Sequence, residues 1–150
     1  MIDSHSHIYC DAFDTDREEM LLRAREAGVT HIVMPNENLE SISRLKAVYD
    51  VHPQFVSMTI GLHPEEIGDD YHEQLQAMHQ MLTEGNMPFV AVGEIGIDLY
   101  WKQDKREEQL EALDTQLRWC KEFDLPFIIH CRDGVAECLE VMDNFGEPLP

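Results

Sequence analysis

Basic residues are scarce in this chain of 150 residues. It contains 11 Lys and Arg against 30 Asp and Glu, which gives a formal net charge of −19 at pH 7. Because proteins that bind nucleic acid non-specifically do so through many Lys and Arg contacts to phosphates, this imbalance excludes tight non-specific binding. An anionic substrate needs a local positive charge on such a protein, and bound metal ions can supply it.

Long apolar runs and closely paired cysteines are also missing. No segment approaches the ~20 apolar residues of a membrane span, and no basic segment followed by an apolar one marks a secretory signal. We therefore expect no membrane partner. The four cysteines form no CxxC pair, so we interpret them as reduced thiols and expect a cytoplasmic protein; they are Cys10, Cys120, Cys131 and Cys138.

Short apolar runs alternate with helical patterns along the rest of the chain. The opening residues MIDSHSH predict a short strand, and four β-branched runs predict buried strands over 30–36, 55–64, 88–98 and 125–133. Each strand is followed by a helical pattern, and these patterns cover 16–28, 38–53, 70–85, 105–126 and 133–146. Three of them end in a glycine, the usual helix stop, at Gly28, Gly85 and Gly146.

Five β/α units predict a parallel α/β architecture in one domain over residues 1–150. The spacing is 150/5 = 30 residues per unit, and eight such units make ~240 residues, close to the ~250 of a (β/α)₈ TIM barrel. The chain would then supply about five of the eight units. An open, doubly wound sheet of five strands is the alternative.

The opening histidines are separated by one residue. In a strand, residues i and i+2 point to the same face, so His5 and His7 would present two imidazoles side by side. Two imidazoles on one face make half of a metal site. The alternative is an exposed, disordered amino terminus with two chance histidines.

Other polar residues fall at the predicted strand ends. In parallel β/α proteins the functional groups collect at the carboxyl ends of strands. The histidine pair ends the first strand, and the second contributes only Asn36 or Glu37. The third, fourth and fifth strands end in residues typical of metal or phosphate binding, namely His63, Glu94, and His130 with Arg132.

The remaining nucleophiles and imidazoles carry no predicted chemistry. Cys131 neighbours His130 and should turn away from the site, because adjacent strand residues point to opposite faces. Cys10 lies just past the first strand, and nothing in the sequence marks either thiol as activated. The other four histidines lie on surface helices or away from the strand ends, at His31, His52, His72 and His79.

Four segments, DSHSH, GLHPEEI, GEIGIDLYW and PFIIHCRDG, resemble in this order the TatD family of metal-dependent hydrolases. The resemblance implies a TIM barrel of the amidohydrolase type with two divalent metal ions, Mg, Mn or Zn. It also implies a deoxyribonuclease that acts on DNA ends through a hydroxide activated by both metals.

The resemblance further implies a role for each matching residue. His5 and His7 match the pair that binds the first metal, Glu94 the carboxylate that bridges both metals, and His130 a ligand of the second. The positions near the substrate phosphate correspond to His63 and Arg132.

The family pattern continues with a further metal-binding His and a metal-binding Asp that serves as general base, and neither precedes Pro150. We expect the missing strands to come from the same gene product or from an associated chain. Two alternatives stay open: a D-aminoacyl-tRNA deacylase or other ester or amide hydrolase on the same site, and an inactive truncated barrel or binding module.

Overall fold

Strands and helices alternate throughout the structure, a computed structural model that describes residues 1–145 and 148. The strands are β1 Ile2–Asp3, β2 His31–Met34, β3 Val56–Ile60, β4 Phe89–Asp98 and β5 Phe127–Arg132. The helices are α1 Arg17–Glu26, α2 Ile42–Val51, α3 Tyr71–Glu84, α4 Arg106–Phe123 and α5 Val135–Asn144. All five predicted β/α units are thus confirmed, while the predicted helix stop at Gly146 lies outside the described residues.

The strand order decides between the two predicted architectures. All pairings are parallel, and the strands follow one another in the order β1-β2-β3-β4-β5. A doubly wound sheet reverses its order at a switch point, whereas right-handed crossovers without reversal place every helix on the same side of the sheet. The chain is therefore a partial TIM barrel with five β/α units.

Helix α4 shows how the helices attach to the sheet. Leu113 and Leu117, four residues apart on one face, are fully buried, as expected for an amphipathic helix. Gln109 and Gln116 are also buried on this helix, and both bond to backbone at strand ends. In the part of the chain that the structure describes, no helix is long and apolar enough to cross a membrane.

Helix ends follow the predicted glycine stops only in part. Gly85 caps α3 in the left-handed conformation, with φ 62°, which glycine adopts without a side-chain clash. Helix α1 is capped instead by Ala27, one residue before Gly28. Helix α4 is capped by Asp124, a non-glycine residue with φ 53°, and the sequence pattern did not indicate this cap.

The first strand is shorter than predicted. It pairs with β2 at Ile2 and Asp3, and beyond them the Ser6 N–H donates to the Val33 carbonyl at 3.1 Å. Between these points the Asp3 carboxylate accepts a hydrogen bond of 3.1 Å from the backbone N–H of His5. Such local side-chain bonds compete with the sheet ladder. The prediction that a strand carries His5 and His7 is therefore wrong, although the following segment still brings the two rings together.

Candidate metal centre

The amino-terminal histidines meet Glu94 at one point. The Nε2 atoms of His5 and His7 lie 3.1 Å apart, and Oε2 of Glu94 lies 3.0 Å from the first and 3.5 Å from the second. On a cation with bonds of about 2.0–2.1 Å, neighbouring ligand atoms are about 3.0 Å apart in octahedral geometry and about 3.4 Å apart in tetrahedral geometry. These three donor atoms therefore have the spacing that a divalent cation requires.

The other carboxylate oxygen of Glu94 faces a second pair of histidines. Its Oε1 lies 3.2 Å from Nδ1 of His130 and 3.6 Å from Nε2 of His63. The two ring nitrogens lie 3.1 Å apart. Glu94 is thus placed between two clusters and turns one oxygen to each, which is the geometry that a shared carboxylate needs.

Burial and hydrogen bonding act in opposite directions on Glu94, which is 5% exposed. Burial raises its pKa, but hydrogen bonds from His130, His63 and His7 outweigh burial and hold the pKa far below its ordinary value of 4.5. In return, the bond to Glu94 is the main cause of the raised pKa values of His7 and His130. The carboxylate therefore stays ionised and attracts positive charge to both clusters.

Asp98 holds His130 in place from the end of β4. Its Oδ2 atom lies 2.9 Å from Nε2 of His130, and the carboxylate is fully buried. Because an ionised carboxylate can only accept, Nε2 donates its proton to Asp98. In the protonated ring Nδ1 donates to Glu94, and once the ring is neutral Nδ1 offers a lone pair on the Glu94 side. Burial raises the pKa of Asp98, but bonds from the Trp101 N–H, from His130 and from the Tyr100 N–H lower it overall.

His63 has the opposite tautomer for a local reason. Its Nδ1 accepts a hydrogen bond of 3.1 Å from the backbone N–H of Glu65, at the start of a short 3-10 turn. The neutral ring therefore carries its proton on Nε2, and this proton points at Nδ1 of His130. The side chains of His63, Glu65 and His130 also place donor atoms within 4.8 Å of one another, but His63 is protonated on the side that faces the centre.

Tyr9 gives His7 the ring orientation of a metal ligand. Its hydroxyl donates to Oε2 of Glu37 at 3.2 Å and lies 3.0 Å from Nδ1 of His7. With the hydroxyl proton directed at Glu37, the oxygen accepts the Nδ1 proton, so the neutral ring has its lone pair on Nε2, where a cation would bind. The second strand thus contributes Glu37 through Tyr9 rather than by direct contact with Glu94.

Buried polar residues fix the backbone that carries these side chains. The N–H of Glu94 donates to the carbonyl of Asn36 at 2.9 Å, across the end of β3. This crossing requires glycine at position 61, since a Cβ there would lie 2.9 Å from the backbone of Gly93. Gln116 holds the backbone of Leu62, the neighbour of His63. Its amide oxygen accepts a hydrogen bond of 2.7 Å from the Leu62 N–H, and its amide nitrogen donates one of 3.3 Å to the Leu62 carbonyl.

Arg132 lies outside both clusters, and the remaining candidates lie farther away. Its guanidinium packs over the Tyr100 ring, 4.0 Å from the centroid. Cys131 contacts Cys138 of α5 and therefore turns away from His130, as predicted. Burial, and then the hydrogen bond to Cys131, raise the pKa of the Cys138 thiol to about 12. The four other histidines are paired elsewhere: His31 with Ser57, His52 with Glu18, His72 with Glu111 and His79 with Glu122.

Sequence reasoning missed two residues that position the ligands of this centre. Asp98 reads as the polar end of an apolar run, and Tyr9 as an ordinary aromatic. The signal that could have found Asp98 is its even spacing from Glu94, because residues i and i+4 of a strand share a face. The sequence contains no comparable signal for Tyr9.

The chain has relatives among known proteins. The family described as TatD related DNase matches residues 2–149. YjjV of Escherichia coli strain K12, named an uncharacterized metal-dependent hydrolase, is 37% identical over 131 residues, or 87% of this chain and 50% of that protein. The 3′-5′ ssDNA/RNA exonuclease TatD of Cronobacter sakazakii is 33% identical over 150 residues, or 100% of this chain and 56% of that protein.

A solved structure agrees with these matches. The crystal structure of Escherichia coli YjjV superposes with a TM-score of 0.83 at 35% identity, over 96% of this chain and 55% of that one. The chain spans about half the length of the curated relatives it matches. Family match, sequence identity and fold agree over nearly every residue of the chain, which therefore belongs to the TatD-related DNase family.

Proposed function

We propose that this chain contributes the ligands of a two-metal hydrolase centre that cleaves phosphodiester bonds at the ends of DNA. The observation that carries the proposal is the position of Glu94, whose two carboxylate oxygens face two separate pairs of histidines. One carboxylate at such a point would set the distance between two cations.

The donor atoms suggest how two cations would be shared. His5 and His7 would hold the first, His130 would hold the second, and Glu94 would bind both. Divalent ions held there, such as Mg, Mn or Zn, would polarise a phosphoryl oxygen and lower the pKa of a water molecule. Three neutral imidazoles and one carboxylate leave the centre positively charged, which offsets the acidic surface at this place.

His63 and Arg132 would act on the substrate. The Nε2 proton of His63 points into the centre, so this ring would donate a hydrogen bond to a phosphoryl oxygen as negative charge develops there. The Arg132 guanidinium would bind a phosphate through its planar set of donors. The metal-binding Asp that the resemblance implies as general base has no counterpart among the described residues of the centre.

Nucleic acid is the favoured substrate class. The family description and the name of the Cronobacter sakazakii relative both refer to nucleases, and no feature of the centre favours an aminoacyl ester. The four thiols are free, which agrees with the cytoplasmic location that we propose. Strands β1 and β5 each have one neighbour among the described residues, so we propose that further strands of the same product or of an associated chain adjoin them.

Release of nucleotides from a labelled single-stranded DNA oligonucleotide tests this function. The reaction is measured with Mg, Mn and Zn in turn, with EDTA as the metal-free control and D-aminoacyl-tRNA as the competing substrate. We expect metal-dependent release from the oligonucleotide that Glu94→Gln abolishes. Deacylation without release of nucleotides would contradict the proposed substrate, and hydrolysis that persists in EDTA would contradict the metal centre.

A further inference from the structure

Two neighbouring aromatic side chains stand exposed at the end of β4. Tyr100 is 49% exposed and Trp101 is 59% exposed. Their rings meet edge to face, with centroids 4.5 Å apart and an interplanar angle of 89°. The guanidinium of Arg132 lies over both rings, 4.0 Å from the Tyr100 centroid and 5.4 Å from the Trp101 centroid. An arrangement this apolar and this exposed is unusual for a solvated turn, since large exposed aromatics normally mark a contact surface.

The turn that carries the two rings is fixed to the metal centre. Oδ1 of Asp98 accepts hydrogen bonds from the backbone N–H of Tyr100 at 2.9 Å and of Trp101 at 2.7 Å, while Oδ2 of the same carboxylate contacts His130. The amide of Gln109 donates to the carbonyl of Lys102 at 2.8 Å and closes the turn from the other side. The rings are therefore held in a defined place beside the proposed second metal.

Arg132 lies over the rings, and a second cationic residue, Lys102, directly follows Trp101 in the chain. Neither Arg132 nor Lys102 forms an ion pair with any residue that the structure describes, although the chain carries 30 acidic residues. The buried carboxylate of Asp98, at the end of β4, accepts hydrogen bonds from the backbone and from His130. The charge of both cations is thus available to an anionic ligand, and the ligand also meets two aromatic faces.

We propose that Tyr100, Trp101 and Arg132 form a stacking platform for a base of single-stranded nucleic acid, with Lys102 beside the adjoining phosphate. Sites for single strands combine positive charge along the backbone with aromatic faces that stack bases, and stacking tolerates any sequence. A base in a duplex is already stacked and cannot reach such a platform, so the platform selects frayed or single-stranded ends. The proposal rests on the proposed function, because it names the substrate feature that the same site recognises.

Trp101 itself can report on the contact. The chain has two tryptophans, and Trp119 is 4% exposed in the core, so Trp119→Phe leaves Trp101 as the only source of indole fluorescence. This variant is titrated in EDTA, where no hydrolysis occurs, with a deoxythymidine pentamer and with an abasic pentamer of the same phosphate number. We expect saturable quenching by the first only. Equal quenching by both, or by neither, would overturn the platform.

Affinity measurements on variants complete the test. By anisotropy of a labelled deoxythymidine pentamer, Tyr100→Ala and Trp101→Ala should each weaken Kd about 5- to 100-fold, while Trp101→Phe keeps most of the affinity. Val51→Ala, which removes an exposed apolar side chain of α2, is the matched control and should change nothing. An abasic pentamer should bind all these variants alike.

The result separates this proposal from the proposed function. If bases increase affinity but no phosphodiester bond is cleaved with any metal, the stacking platform is supported and the proposed hydrolase function is contradicted. If nucleotides are released but Kd is the same with and without bases and in the Tyr100 and Trp101 variants, the platform is wrong. The aromatic surface then serves a protein contact instead.

Discussion

His130 is joined to Asp98 by a hydrogen bond of 2.9 Å between Nε2 and Oδ2. The pair comes from neighbouring parallel strands, in which Gly96 lies opposite His130 and Asp98 lies opposite Arg132. The bond fixes the tautomer of the imidazole and so directs the Nδ1 lone pair at the point where a cation is proposed. A buried carboxylate behind a ligating histidine is also a direct target for substitution.

Asp98→Asn should change the tautomer while keeping the shape. The amide oxygen can still accept the N–H groups of Tyr100 and Trp101, but the amide nitrogen then faces Nε2 of His130 and moves the ring proton to Nδ1. We expect metal affinity to fall about 10- to 100-fold with little change in stability. Nitrogen-15 NMR of the imidazole reports the tautomer directly. An unchanged spectrum with unchanged affinity would show that Asp98 has only a structural role.

Glu94→Ala should remove both metal ions, because no other carboxylate among the described residues lies between the two histidine pairs. Bound metal per chain is counted by elemental mass spectrometry after dialysis. Glu111→Ala, which removes a half-exposed carboxylate of α4 paired with His72, is the control and should keep full occupancy. Retention of one ion in Glu94→Ala would mean that each histidine pair binds metal independently.

Arg132→Ala should impair substrate binding and leave the metals in place. The guanidinium packs on Tyr100 and contacts neither histidine cluster, so we expect KM for DNA to rise about tenfold or more, since charge-assisted bonds contribute roughly 1.5–3 kcal/mol. Arg118→Ala provides the comparison, because Arg118 is an exposed arginine paired with Asp114 on α4. Loss of metal in Arg132→Ala would contradict a role limited to substrate.

Metal affinity should increase with pH. Without metal, the pKa values of His7 and His130 lie above 6.5, chiefly because each bonds to Glu94, and a cation must displace these protons. Affinity therefore rises through the raised pKa values and levels off above them. Calorimetry in two buffers of different ionisation enthalpy measures the released protons near pH 7. The absence of proton release would mean that neither imidazole binds metal.

The same shifts predict the stability of the metal-free chain. A raised histidine pKa stabilises the fold below the unfolded value of 6.5, and this contribution is lost as pH rises through the folded value. The lowered pKa of Glu94 acts above its unfolded value of 4.5 and is lost as pH falls. The free energy of unfolding in EDTA should thus be greatest between the unfolded pKa values of Glu94 and His130. Divalent metal should move the pH of this maximum upward.

Gly96→Ala should disrupt the strand pair that carries His130. Gly96 has φ 146°, and a Cβ there would lie 1.9 Å from the carbonyl oxygen of His130. We expect a loss of at least about 3 kcal/mol in the free energy of unfolding, as for other severe core changes. Gly85→Ala separates strain from collision, because Gly85 also has positive φ, 62°, but no atom within 4 Å. It should cost only about 1–2 kcal/mol, and equal losses would contradict this account.

The sequence by itself determined the alternation of strands and helices and the residue types at the strand ends. Continuous apolar runs and amphipathic helical patterns are local features of the sequence. Burial of these apolar residues therefore determines where each strand or helix forms. The identities of His63, Glu94 and His130 as neighbours followed from parallel pairing, which brings carboxyl ends together. Only the strand order of the folded chain distinguished a partial barrel from a doubly wound sheet.

Tertiary structure alone decided how the site residues are oriented. Asp98 and His130 are 32 residues apart, and Tyr9 and Glu37 are 28 residues apart, so neither hydrogen bond has a local pattern. The same holds for Glu94. Its two oxygens face different histidine pairs because the segments after β1 and β3 and the strand β5 lie around it in the folded chain. Side-chain direction and tautomer depend on partners that strand register and burial bring together, and a linear sequence specifies the groups but not which atoms meet.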